Sequence, residues 1–263
     1  TNVVTGEIAI ITSIGLDHQE TLGDSLTAIA EQKAGIFKPG KSAVIANLAP
    51  EAQLVCKKTA TNLGVSLYQA NKDFSFRNGN FSSSLADFNH LILGLEGAYQ
   101  EENAALALQA FLLFMVQRNE KVDQEAVRAS LQATKWAGRL EAVTEHIYLD
   151  GAHNLPALER LVEFIQEKIQ QGYQSQILFG ALKRKDYSGM LTYLTEHLPD
   201  VALYVTSFDY QGSLEEQDFG DYTSIASYRD FIDNFEASAQ EKDLLFVTGS
   251  LYFISEVRAC FMA

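Results

Sequence analysis

Apolar residues along the chain follow two periods by turns, one suited to strands and one to helices. EIAIITSI (7–14) is a short isoleucine-rich run, the pattern of a buried parallel strand. LTAIAEQKAG (26–35) switches to helical spacing: Leu26, Ile29 and Ala30 share a face, and Lys33 falls on the same stripe. Asp24 is placed to cap this helix and Gly35 to end it. SAVIAN (42–47) predicts a second strand, and EAQLVCKKTATNLG (51–64) an amphipathic helix closed by Gly64. Short alternating segments fill 66–94 around Asn78-Gly79, a hairpin signal, and predict a small antiparallel section at the edge of the sheet. Helices follow over about 100–118 and 123–133.

KWAGRLEAV (135–143) has the look of a joint, with the boundary near 136–140. Beyond it strand and helix alternate again. HIYLD is followed by a helix from Asn154, SQILFG by a helix from Asp186, VALYVT by a helix from about Tyr228, and LLFVTG by a final helix. That order predicts a self-contained parallel α/β unit. Residues 207–224 are acidic and irregular and read as a surface loop. No internal repeat or low-complexity segment is visible. The chain is expected to divide into domains at 1–137 and 138–263.

Composition narrows the function classes. At 263 residues and 47% apolar content the chain can bury a full core. A net charge of -14 repels phosphate backbones and argues against general nucleic-acid binding. It leaves room for a small anionic ligand in a locally basic cleft. Two cysteines, Cys56 and Cys260, are too few for a disulfide framework and fit a reducing compartment. The most apolar run, AALALQAFLLFMV (104–116), is interrupted by Gln109 and falls short of the roughly 20 residues of a membrane span. It predicts a helix buried on all sides. A soluble, cytoplasmic protein is expected.

Polar residues that could carry chemistry gather beyond the carboxyl ends of predicted strands, where open α/β sheets bind ligands. Asp17, His18 and Glu20 follow the first strand; Asp150, His153 and Asn154 follow HIYLD; Ser250 opens the last helix, whose free N–H groups suit an anion. FGALKRKD adds Lys183, Arg184, Lys185 and Asp186. Each has a plainer reading. An Asp–His pair in a loop is commonly no more than solvent-facing polarity, and Asn154, Asp186 and Ser250 all serve as helix N-caps. Lys33 in a last turn favours the helix dipole and can reach its ammonium to water. The sharper option is a partly buried amine that reacts with carbon dioxide to a carbamate, exchanging a positive charge for two oxygens suited to Mg²⁺.

Residues 1–40, with TNVV, TSIGLDH, LGDSL and EQKAGIFKPG in order, resemble the central-domain segment of folylpolyglutamate synthases and dihydrofolate synthases, relatives of the Mur ligases. WAGRLE (136–141), LDGAHNLPAL (149–158) and GSLYFISEVR (249–258) are similar to the family's later blocks. The resemblance implies an α/β chain: the remainder of a P-loop-type central ATPase domain, then a Rossmann-like carboxyl-terminal ligase domain. It implies ATP-driven addition of L-glutamate to a folate or to dihydropteroate through an acyl phosphate, with Mg²⁺. It also implies a monomer acting on small molecules, without nucleic acid or membrane. By resemblance His18 and a carbamylated Lys33 hold metal, Lys33 and His153 are catalytic, and Asn103 contacts adenine. Arg139 and Asp150 contact ATP, and Ser250 the glutamate side.

Departures are also legible. Tyr99 stands where the family usually has histidine, and HNLPA replaces HNPHA. The family's GxxxxGK[ST] phosphate loop has no match in these residues and is expected upstream of residue 1, so the chain alone is expected to turn over negligibly. A non-catalytic fragment or binding module is the alternative. A Mur-type cell-wall ligase is a further one within the enzyme class, and the spacing from TSIGLDH to EQKAGIFKPG fits the folate branch better.

Overall fold

The structure is a computed structural model that describes residues 2–15 and 23–262. The chain forms two compact units, Thr1–Gly94 with Ala98–Thr134, and Leu95–Gly97 with Lys135–Ala263.

In the first unit, β1 (Ile8–Ile11), β2 (Ser42–Ile45) and β3 (Ser66–Gln69) form a parallel sheet in the order β1-β2-β3. Ile10 lies opposite Val44, and Val44 opposite Tyr68. The crossovers are α1 (Leu26–Ala34) and α2 (Pro50–Leu63), which pack on each other. Gly64 ends α2 in the left-handed conformation, φ 62°, as its position predicts. The N-cap of α1 is Ser25 and not Asp24. Ser25 has the extended backbone a cap requires, and its hydroxyl accepts the Ala28 N–H at 3.2 Å.

The hairpin at Asn78-Gly79 forms between β4 (Phe74–Arg77) and β5 (Asn80–Ser83), with φ of 50° and 74° at the two turn residues. With β6 (Asp87–Phe88) it makes a separate antiparallel sheet rather than an edge of the first one. Its inner face is a row of rings, Phe74, Phe81 and Phe88, at centroid spacings of 6.5 and 6.1 Å. These rings belong to the same core as the parallel sheet and its helices. Helices α3 (Tyr99–Gln117) and α4 (Gln124–Ala133) follow. α3 packs on β1, β2 and β4 but is not buried all round: Phe111 and Val116 are 39% and 62% exposed. No helix among the described residues is long and apolar enough to cross a membrane.

The second unit is a six-stranded sheet in the order β11-β10-β9-β12-β8-β7. Its strands are β7 (Glu141–Ala142), β8 (Ile147–Leu149), β9 (Gln174–Phe179), β10 (Ala202–Thr206), β11 (Thr223–Ile225) and β12 (Asp243–Thr248). All pairings are parallel except β7 with β8. Helices α5 (Leu155–Gln170), α6 (Tyr187–His197), α7 (Tyr228–Ser238) and α8 (Leu251–Cys260) cover both faces. Alternation along the strands divides the core. Tyr148 and Phe246 stack at 5.4 Å and meet Phe164 of α5 on one side. Leu245 and Val247 meet Phe253 and Val257 of α8 and Ile232 of α7 on the other. Phe253 is fully enclosed, worth about 1.5–3 kcal/mol of transfer free energy.

Segment 207–224 differs from the surface loop its composition predicts. It contains a 3₁₀ turn at Glu216–Asp218 and the start of strand β11, and it buries Phe208, Leu214 and Phe219. The Leu214 N–H donates to the Ala181 carbonyl at 3.0 Å and the Lys183 N–H to the Gly212 carbonyl at 2.8 Å. Long-range backbone pairing, invisible to local composition, seats this strap.

Candidate functional site

β8, β12 and β9 are neighbours in the second unit, so the loops that leave their carboxyl ends converge. Asp150–Asn154 follow β8, Gly249–Ser250 follow β12, and Gly180–Lys185 follow β9. Gly249 has φ 115°, and a side chain there would bring Cβ within 2.6 Å of the Gly180 carbonyl oxygen. Only glycine permits this approach of the two strand ends. His153, Arg184, Lys185, Gly249, Ser250 and Tyr252 line the cavity of about 170 Å³ that results.

The cavity suits an anion. Arg184 and Lys185 are cationic, and the first turn of α8 points its N–H groups there. Ser250 is buried, and its hydroxyl caps α8 by accepting the Tyr252 N–H at 3.3 Å. The His153 Nδ1 lies 2.9 Å from the Gly151 carbonyl, an acceptor, which assigns the proton to Nδ1 and leaves Nε2 for another partner. The Tyr252 ring stacks at 4.0 Å on Tyr210 from the strap. A hydrogen bond from Tyr210 lowers the Tyr252 phenol below its ordinary range, and Arg184 adds to that pull.

Asp150 is buried, and both of its oxygens are engaged: Oδ1 accepts the Ala152 N–H and Oδ2 the Leu140 N–H, each at 2.9 Å. Burial raises its carboxyl pKa, against the pull of those two N–H groups and of the charge on Arg139. Arg139 is half-buried in the turn that Asp150 holds.

In the first unit, Lys33 sits in the last turn of α1, half-buried, and its Nζ donates to the Ser13 carbonyl at 3.1 Å, just past β1. It borders an open hollow of about 660 Å³ that Thr12, Ser13 and Gln32 also line. His18, expected as a metal ligand, lies outside the described residues, as do Asp17 and Glu20. Among the described residues no group of three or more His, Cys, Asp or Glu side chains could hold a metal ion. Asn103 is exposed near the start of α3, and its Nδ2 donates to Oε1 of buried Gln100 at 2.9 Å.

The structure therefore brings His153 and Ser250 to one cavity and places Asp150 beneath the Arg139 turn, while Lys33 and Asn103 belong to the other unit. Sequence reading passed over Gln100, Glu141 and Arg258 as site residues. The signal for Glu141 was its place two residues after Arg139; Arg258 left none.

No family model matches the chain. The dihydrofolate synthase/folylpolyglutamate synthase of Bacillus subtilis (strain 168) is 34% identical over 98% of this chain and 63% of its own length. The protein of the same description from Escherichia coli (strain K12) is 28% identical over 98% of this chain and 60% of its own. Among solved structures, a folylpolyglutamate synthase complex with AMPPCP and folate superposes with TM-score 0.81 at 28% identity, covering 100% of this chain and 63% of that one. The bifunctional folylpolyglutamate synthase/dihydrofolate synthase of Yersinia pestis with AMPPNP and a Mn ion gives 0.80 at 25% identity, with the same coverage. The chain thus spans just under two thirds of the length of these relatives. In sequence and fold, the chain belongs to the folylpolyglutamate synthase/dihydrofolate synthase family.

Proposed function

We propose that the chain carries the carboxyl-side part of an ATP-dependent ligase that joins L-glutamate to a folate or to dihydropteroate. In this reading residues 1–137 belong to a central ATPase domain and 138–263 to a ligase domain. The acid's carboxylate takes the terminal phosphoryl group of ATP, releasing ADP. The glutamate amine then displaces phosphate from the acyl phosphate and forms the amide. Mg²⁺, when bound, neutralises charge on the phosphates.

The match to the Bacillus subtilis relative along nearly all of this chain carries the reading. The basic cavity of the second unit supports it chemically. Arg184, Lys185 and the α8 N-terminus would take the carboxylates of glutamate, with Ser250 shaping the wall. The His153 Nε2 would face the reacting phosphate. Arg139 would contact the ATP phosphates, Asp150 would contact ATP beside the Arg139 turn that it holds, and Asn103 would contact the adenine. For the metal, the described residues supply no ready cluster. That part of the proposal rests on His18 and on a carbamate at Lys33, formed from the neutral amine and carbon dioxide with release of a proton. We further read the protein as a cytoplasmic monomer acting on small molecules. Its net charge of -14 argues against nucleic acid as a partner.

A chimera tests the reading: these 263 residues replace the matching stretch of the Bacillus subtilis relative. Incubated with ATP, Mg²⁺, labelled L-glutamate and either dihydropteroate or a reduced folate, it is expected to form labelled amide product. A cooperatively folded chimera that forms none with either acid overturns it. The 263 residues by themselves, lacking GxxxxGK[ST], are expected to release negligible phosphate from ATP; normal turnover would contradict that.

A further inference from the structure

The turn that carries Arg139 is gripped on both sides. The N–H of Gly138, just before it, donates to Glu141 Oε2 at 2.8 Å. The N–H of Leu140, just after it, donates to Asp150 Oδ2 at 2.9 Å. The Gly138 carbonyl accepts the Gly151 N–H at 2.8 Å. Glu141 is itself held by Arg258 from the last turn of α8, whose Nε lies 2.9 and 3.0 Å from its two oxygens.

The grip has work to do against the backbone. Gly138 and Leu140 both lie at positive φ, 66° and 45°. For a bulky residue such as leucine that conformation is strained, and it persists only where its surroundings impose it. Two carboxylates on the flanking N–H groups impose it here. A Cβ on Gly138 would press on Ile254 of α8 at 3.1 Å, so the same helix also packs against the turn. These contacts hold the backbone of residues 138–140, from which the Arg139 side chain leaves.

We propose that Glu141 and Arg258 are positioning residues that aim the Arg139 guanidinium at the phosphates of the bound nucleotide. The pair acts through the backbone of residues 138–140 and touches no substrate. α8 then serves both ligands: Ser250 at its start shapes the anion cavity, and Arg258 at its end braces the nucleotide-directed arginine. This inference rests on the ligase reading and deepens it.

A double-mutant cycle tests it. The dissociation constant of magnesium AMPPCP is measured on the chimera with the Bacillus subtilis relative described above, and on its Arg139→Ala, Glu141→Gln and combined variants. Arg258→Lys and Arg258→Gln are compared alongside, and thermal melting reports folding. Glu141→Gln is expected to weaken nucleotide about tenfold, the scale of one charge-assisted hydrogen bond. The double variant is expected to bind no more weakly than Arg139→Ala, and Arg258→Lys to recover part of what Arg258→Gln loses. Effects that multiply, or an unchanged affinity in Glu141→Gln, overturn the positioning role while leaving the ligase reading intact. A wild-type chimera that binds no nucleotide instead overturns the ATP reading, and this inference with it.

Discussion

Lys33 Nζ donates to the Ser13 carbonyl oxygen at 3.1 Å, so a side chain from the end of α1 is aimed at the carboxyl end of β1. A lysine in a last turn could as well have reached toward solvent, where the helix dipole already favours it. Its inward aim, at the border of an open hollow, is what the carbamate proposal requires. Bicarbonate should therefore raise the affinity of the chain for Mn²⁺, read by electron paramagnetic resonance of the free ion. Lys33→Met should abolish the increment and cost only about 1 kcal/mol of stability, the net value of one hydrogen bond. Bicarbonate-independent affinity in the wild type would remove the carbamate from the account.

Arg184→Ala should weaken L-glutamate binding to the chain at least about tenfold, because the cavity would lose a charge-assisted, fork-shaped donor. Calorimetry or ligand-detected magnetic resonance checks this. Binding that is indifferent both to the substitution and to salt would mean that the cavity does not hold the carboxylates.

Lys183 bridges Glu215 and Asp218 at 3.1 and 3.0 Å and ties the strap to the loop after β9. The Glu215 N–H and the Lys183 ammonium lower the Asp218 pKa. The Asp218 contribution is thus present above the ordinary aspartate pKa and fades as pH falls through the lower folded value. The bonds to Asp218 and Glu215 raise the Lys183 pKa, so that contribution is present below the ordinary lysine pKa and fades only above the raised one. The melting-temperature difference between wild type and Lys183→Met should be flat across neutral pH and close at both extremes. A difference that grows in acid would contradict the linkage.

The two cysteines should separate cleanly. Burial pushes the Cys56 thiol up to about 11, whereas Cys260 is exposed, with an Arg229 N–H 2.8 Å from its sulfur. A thiol-specific reagent in mild alkali should label one equivalent at once, at Cys260, and Cys56 only after denaturation. Rapid labelling of both in the native chain would contradict the burial of α2 against its sheet.

What the sequence made legible was local. Asn154, Asp186 and Ser250 cap the helices they were expected to open, because a cap is a bond between a side chain and an N–H two or three residues on. Asp24 lost to Ser25 because both residue types cap, and backbone angle alone decides between neighbours. The strap's burial and the brace on Arg139 were not legible. Arg258 and Glu141 are 117 residues apart and meet only once α8 has docked. Polar loops expected at one end of the strands do share a cavity, with His153 and Ser250 both in its lining, whereas the acceptor role of Gln100 toward Asn103 needed the helix to be built.

The measurement that bears most directly on the ligase reading is a magnetic-resonance titration of the chimera, isotope-labelled in these 263 residues, first with magnesium AMPPCP and then with L-glutamate. The account predicts nucleotide-dependent shifts at the amides of Asn103, Arg139 and Leu140, and glutamate-dependent shifts at His153, Lys185, Ser250 and Tyr252. Saturating titrations that leave those amides unmoved, or that move only residues remote from them, would contradict it.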